Sequence, residues 1–219
     1  MENKYDELNL IKSRSVPYEL YFGKMELDEE QKEKRIEFSK KMEEIIIFLF
    51  FLISAYREYN VEINIYKIKI EFINRLDLLI EEYINGAKLN EMYTKEAINY
   101  FNAYKNEFIN SFLDTTIRNI NDPFFLSKDR AVLISENEAN TVINYIEFIK
   151  AIENGKKKKK WIDIKDNKER KTHAEVGGII IPINEYFFVG DSMMLFPKDT
   201  SMGADLKEIA NCRCSIKYF

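Results

Sequence analysis

His173 is the only histidine in the chain, and Cys212 and Cys214 are its only cysteines. Zinc prefers imidazole and thiolate ligands in a tetrahedral set, so their gathering near the C-terminal end points to a metal site. Asp166, seven residues before the histidine, could supply a fourth ligand, and Asp199 is another candidate. Cys-x-Cys is tighter than the usual gap between zinc ligands, and a disulfide across it would close a small, strained ring. The alternative keeps His173 hydrogen-bonded and the two thiols packed as small buried hydrophobes.

The same residues could instead catalyse. A thiol nucleophile beside His173 would have Asn211 or Asp166 to orient it, although no oxyanion-hole signature accompanies the cysteines. A nuclease would use His173, the one side chain that carries a proton near neutral pH, with Arg170 and Lys168. Against both stands a polar network of Asp166, Arg170 and His173 that fixes the first turn of a domain. Structural networks outnumber catalytic ones, and the residue types favour that reading.

Immediately ahead lie Lys156, Lys157, Lys158, Lys159 and Lys160, followed by Trp161. A block of like charge repels itself and stays wet, which predicts a solvated loop. Its functional counterpart is a nonspecific, salt-dependent contact with a nucleic-acid backbone. Trp161 reads as a core anchor. Residues 1–126 carry 17 basic and 23 acidic side chains, whereas residues 127–219 carry 16 and 14. The whole chain, at −4, is not a general polyanion binder.

The elements that must position these residues follow from pattern. With 219 residues, 46% hydrophobic and only 7 Gly and 4 Pro, the chain is neither disordered nor collagenous. Residues 1–27 read as irregular. Acidic Asp28, Glu29 and Glu30 open a helix that runs to about residue 60. A second helix carries a stripe of Ile63, Tyr66, Ile70, Ile73, Ile80 and Ile84, and ends at Asn85-Gly86. A third, from about Asn90 to Ile120, carries Ile98, Phe101, Tyr104, Phe108 and Phe112. Asp122-Pro123 breaks the pattern. Ser135 and Glu138 then read as the capping box of a further helix. Short apolar runs at Ile179–Ile181, Tyr186–Val189 and Met193–Phe196 read as strands. The apolar run Ile45–Ile53 is 9 residues long, against roughly 20 for a membrane span. It predicts a helix buried on all sides, or a surface for self-association. The N-terminus lacks the basic start and apolar stretch of a signal peptide, and two cysteines are too few for a disulfide framework. Reduced thiols or metal ligands in an intracellular protein are expected.

Trp161, Asp166, Arg170 and His173 stand at the intervals of a known motif. Gly177-Gly178, Ile179 to Pro182, Pro197-Lys198-Asp199 and Asn211-Cys212-Arg213-Cys214 continue it in order. The segment resembles the phage Mu protein F-like family, also called the phage head morphogenesis or minor head protein family. Asp129-Arg130-Ala131 through Glu138-Ala139-Asn140 is similar to the family's preceding helix. Lys168 replaces the usual first arginine, and Asn137-Glu138 replaces the commoner Thr-Glu. The resemblance covers about residues 127–219. With the helical pattern of 1–126, read as a bundle or extended arm, and a Mu F-like domain at 127–219 with a short antiparallel sheet, the chain is expected to be α+β in two parts. The resemblance further implies a virion protein, present in the host cytoplasm during assembly. Such a protein acts in head morphogenesis on the portal or inner capsid and accompanies DNA during packaging or ejection. The alternative is a phage-borne nuclease or toxin-like hydrolase using His173, Arg170 and Asp166. Cofactor use stays open between none and zinc. One geometric expectation is common to latch and metal site: His173, Cys212 and Cys214 converge.

Overall fold

Pro17 opens helix α1 (Pro17–Phe22), where its fixed φ suits a first helical position. Part of the stretch expected to be irregular is thus helical, anchored in the core by Tyr18 and Phe22. The computed structural model describes residues 17–59, 61–166 and 168–219, so the reading of residues 1–16 lies outside the described residues.

Helix α2 (Glu29–Glu58) begins with a capping box. Asp28 Oδ1 accepts from Gln31 N at 2.8 Å, and Gln31 Oε1 accepts from Asp28 N at 3.1 Å. The run Ile45–Ile53 is not buried on all sides. Helical rotation turns Ile46, Leu49, Phe50 and Ile53 into the core and leaves Ile47 40% and Phe51 67% exposed. Among the described residues, no helix is long and apolar enough to cross a membrane. Helix α3 (Ile65–Gly86) is capped by Asn64 and helix α4 (Glu91–Arg118) by Asn90. The buried face of α3 is Ile68, Phe72, Leu76, Leu79, Ile80 and Ile84, whereas Tyr66 and Ile70 point outward. On α4, Phe101 and Phe112 are buried and Ile98 is exposed.

A 3₁₀ turn at Pro123–Leu126 leads into helix α5 (Lys128–Glu153), and Ser127 caps that helix by accepting from Arg130 N at 3.2 Å. Ser135 is therefore no cap. It lies inside α5 and donates its hydroxyl back to Ala131 O at 2.7 Å, the in-helix use of a serine. Helix α5 packs chiefly on α2, and one buried cluster runs from Tyr18 to Ile216. The break near residue 126 is thus a turn between helices that share one core.

The remainder is a small antiparallel assembly, which gives the α+β architecture. Strand β1 (Lys158–Ile162) lies between β2 (Ile180–Pro182) and β5 (Ser215–Tyr218), with Lys160 opposite Ile180 and Trp161 opposite Ile216. Strands β3 (Phe187–Val189) and β4 (Ser192–Met194) form a hairpin that turns at Gly190, whose φ is +58°. Short helices α6 (Lys171–Val176) and α7 (Leu206–Ile209) fill the connections.

The lysine run is only partly the expected solvated loop. Lys156 and Lys157 precede β1, but Lys158, Lys159 and Lys160 belong to its central strand, where alternate side chains face opposite ways. Lys156, Lys157 and Lys158 are exposed, Lys160 is half-buried, and Lys159 is fully buried. Its Nζ donates to Leu195 O at 2.7 Å and lies over the rings of Phe148 and Phe187. Lys159 is thus withdrawn from any nucleic-acid surface.

Candidate metal centre

Helix α6 carries His173 inward from a loop that runs on from β1. The cysteines arrive from the other direction, through a turn at Asn211. That residue holds φ at +54°, a left-handed conformation that asparagine tolerates better than most residues. His173 Nδ1 then lies 3.4 Å from Cys214 Sγ and 3.5 Å from Cys212 Sγ. The three side chains are only 2%, 1% and 4% exposed for His173, Cys212 and Cys214 respectively. Their ligand atoms all lie within 4.8 Å of one another. The expected convergence is met.

The spacing suits a metal. With bonds of about 2.3 Å to sulfur and about 2.0 Å to nitrogen, a tetrahedral centre puts nitrogen and sulfur about 3.5 Å apart. A neutral imidazole nitrogen has one in-plane lone pair or one proton, enough to serve one sulfur. Here one nitrogen is almost equidistant from two. The three residues could hold a metal ion.

The other imidazole nitrogen is also engaged. His173 Nε2 lies 3.2 Å from Glu208 Oε2, and that oxygen accepts from Thr172 Oγ1 at 2.8 Å. A carboxylate on the outer nitrogen fixes the tautomer that leaves Nδ1 free to ligate. Gly190 makes room for it, since a Cβ there would sit 2.9 Å from Glu208 Oε1.

Charge is distributed unevenly over the pair of thiols. Cys212 is held well below the ordinary thiol range, first by a hydrogen bond from Cys214 and then, against burial, by His173. Cys214 is pushed up by the same hydrogen bond and by burial. Burial lowers the His173 pKa, but the hydrogen bond and charge of Cys212 raise it more. Trp161 Nε1, buried and with no nitrogen or oxygen partner among the described residues, bears on Cys214 and favours its thiolate. The Trp161 ring meets His173 edge-on at 5.9 Å.

A second layer ties the centre to the helices. Asn140 of α5 donates Nδ2 to Cys212 O at 2.9 Å and to Cys214 O at 3.4 Å. Asn144 donates to Pro197 O at 3.0 Å. Arg35 of α2, fully buried, donates to the Oδ1 atoms of Asn140 and Asn144 and to both carboxylate oxygens of Glu147.

Other sequence candidates do something different. Asp166 is no ligand: it pairs with Arg213 at 2.9 Å and accepts from Lys168 N at 2.9 Å. Asp166 and His173 do not share a helix face, because the helix begins only at Lys171. Arg170 donates to Ala210 O and so braces the cysteine loop. The expected Asp166–Arg170–His173 network does not form as one unit; each side chain binds the C-terminal segment separately. Asp199 accepts from Leu195 N and Ser201 N, both at 2.9 Å, and shapes a turn. Glu208, Thr172, Asn140 and Arg35 carry the centre's support without having been singled out for it. The only sequence signal was Asn140, within the helix segment that resembled the family.

A cavity of about 30 Å³ adjoins the cluster, lined by His173, Cys212 and Cys214 with Ile164, Arg170 and Glu169 among others. Such a volume holds one water or ion. Compared with protein-family models, curated proteins and solved structures, the chain matches none.

Proposed function

We propose that this chain is a structural protein of a phage or prophage head, a minor head protein of the Mu F-like kind, and not an enzyme. It would attach to the portal or inner capsid, and His173, Cys212 and Cys214 would hold a structural zinc ion. The observation that carries this reading is the burial of the chemistry. A catalytic group must be reached by its substrate, and these three residues are almost fully enclosed beside a cavity for a single water. Such a site supports a clamp between α5, α6 and the C-terminal strand. Of the residues on which the resemblance rests, Asn140, Trp161, His173, Cys212 and Cys214 contact one another through that clamp, which supports the family reading. Exposed Lys156, Lys157 and Lys158 are the remaining candidates for nonspecific DNA contact.

Two measurements test the proposal. Protein purified without chelators should contain one zinc per chain by elemental analysis, and a metal-free protein would overturn the zinc assignment. Incubation with DNA and RNA, with and without divalent metal, should give no turnover. Cleavage abolished by His173→Ala would replace the structural reading with the nuclease one. The gene should also sit beside a portal gene, and a neighbourhood without head genes counts against the phage assignment.

A further inference from the structure

Lys198, in the loop after β4, is 2% exposed, and the partners of its ammonium group are uncharged. Its Nζ donates to Asn137 Oδ1 and, at 3.2 Å, to Ile209 O. The orientation of the Asn137 amide is fixed by a neighbour that can only donate: Asn211 N–H reaches Oδ1 at 2.9 Å. The amide nitrogen Nδ2 is therefore the atom 2.8 Å from Glu138 Oε1. Glu138 is 6% exposed. All three side chains border a cavity of about 460 Å³ whose walls include Tyr104, Phe108 and Leu206.

A lysine, a carboxamide and a carboxyl group thus meet, largely out of water, at a cavity whose walls mix Tyr104, Phe108 and Leu206 with Glu107, Ser111 and Thr200. Burial raises the Glu138 pKa towards the protonated acid and lowers the Lys198 pKa towards the free amine, each tempered by the other's charge. Keeping a lysine ammonium buried on neutral acceptors is costly. Converting it to an amide removes that cost permanently.

We propose that Lys198 and Asn137 join in an intramolecular isopeptide bond, with Glu138 carrying the proton. The neutral amine of Lys198 attacks Cγ of Asn137, which lies one carbonyl bond, about 1.2 Å, from the oxygen it now touches. The carbonyl electrons move onto Oδ1, where the Asn211 N–H holds the oxyanion. Glu138, hydrogen-bonded to Nδ2, gives it a proton, and the proton that Nζ loses returns to Glu138 through the cavity that both side chains border. The oxyanion collapses, Cγ–Nδ2 breaks, and ammonia leaves through the cavity. A secondary amide joins the two side chains, Glu138 is unchanged, and no oxidant or co-reactant is used. The bond would tie α5 to the loop before α7 across 61 positions of sequence. It does not depend on the phage reading or on zinc.

Intact mass spectrometry of the full chain, denatured, reduced and freed of metal, is the test. The wild-type protein should weigh less than its sequence by one ammonia. A proteolytic digest should contain two peptides joined through positions 137 and 198. Lys198→Arg and Glu138→Gln should each restore the full mass. A succinimide at Asn85-Gly86 or Asn154-Gly155 loses the same ammonia, so a light protein without a joined peptide overturns the proposal. A wild-type chain that keeps its full mass after prolonged incubation also overturns it. Full linkage in Glu138→Gln would remove Glu138 from the chemistry.

Discussion

Between α3 and α4 the contact is aromatic. Phe72 meets Phe108 and Phe112 edge-on, with ring centroids 5.7 and 5.0 Å apart, and Phe112 stacks on Phe50 of α2. Between α5 and the C-terminal segment the contact is polar: Asn140 holds the carbonyls of both cysteines, Asn144 holds that of Pro197, and Arg35 holds both asparagines. Apolar burial is nondirectional and scales with area. It tolerates volume-conserving changes. A buried hydrogen-bond network is directional, and a missing member leaves its partners desolvated and unpaired. The two regions should therefore respond oppositely to conservative substitution.

The largest effect tests that contrast directly. Arg35→Met keeps much of the side chain's length but abandons Glu147, Asn140 and Asn144 inside the protein, and should cost about 3–5 kcal/mol in denaturant unfolding. Leu76→Met, at an equally buried position on α3, should cost less than about 1.5 kcal/mol. Equal losses would show that the polar layer is ordinary packing in another guise.

This contrast also explains what could be read from sequence. The helices were legible because period and caps are local: Asp28 and Asn90 mark starts, and Asn85-Gly86 marks an end. Phase within a helix was less legible, since Tyr66 and Ile70 fit the α3 period yet face outward. The three clustered residues stood out by rarity, one histidine and two cysteines in 219 residues. Their support did not, because Glu208 is one of 37 acidic residues and is selected only by where the β3–β4 turn and α7 meet. Asp166 was attractive by spacing, but spacing says nothing of Arg213, which claims it. Strand β1 was hidden because its lysines have the composition of a loop, while pairing with β2 and β5 gives them a ladder.

Within the polar region a finer contrast separates residues that tune a metal from those that only brace the fold. Under the zinc proposal, Glu208→Gln keeps an acceptor near His173 Nε2 but removes the charge. It should weaken zinc affinity about 10–100-fold in a chelator competition. Asp166→Asn, which touches Arg213 and the Lys168 N–H instead, should leave zinc affinity unchanged. If both substitutions shift affinity alike, Glu208 has no special relation to the centre.

The last contrast concerns Lys159, where apolar and polar logic meet in one side chain. Its stem fills space between Phe148 and Phe187, and its ammonium has Leu195 O to serve as acceptor. Burial lowers its pKa to about 7, with Asp199 and Glu185 opposing the fall. An unfolded lysine titrates near 10.4. Between these values the unfolded chain binds more protons than the folded one, so raising the pH favours folding. From pH 7 to pH 9 this group alone should add about 2 kcal/mol of stability. Lys159→Met retains the stem and cannot titrate, so its unfolding free energy should lack that increment. Subtracting the variant's pH profile from that of the wild type isolates Lys159, because every other group is the same in both proteins. A flat difference would mean that water reaches the ammonium, and that the core beneath β1 is less closed than its aromatic walls imply.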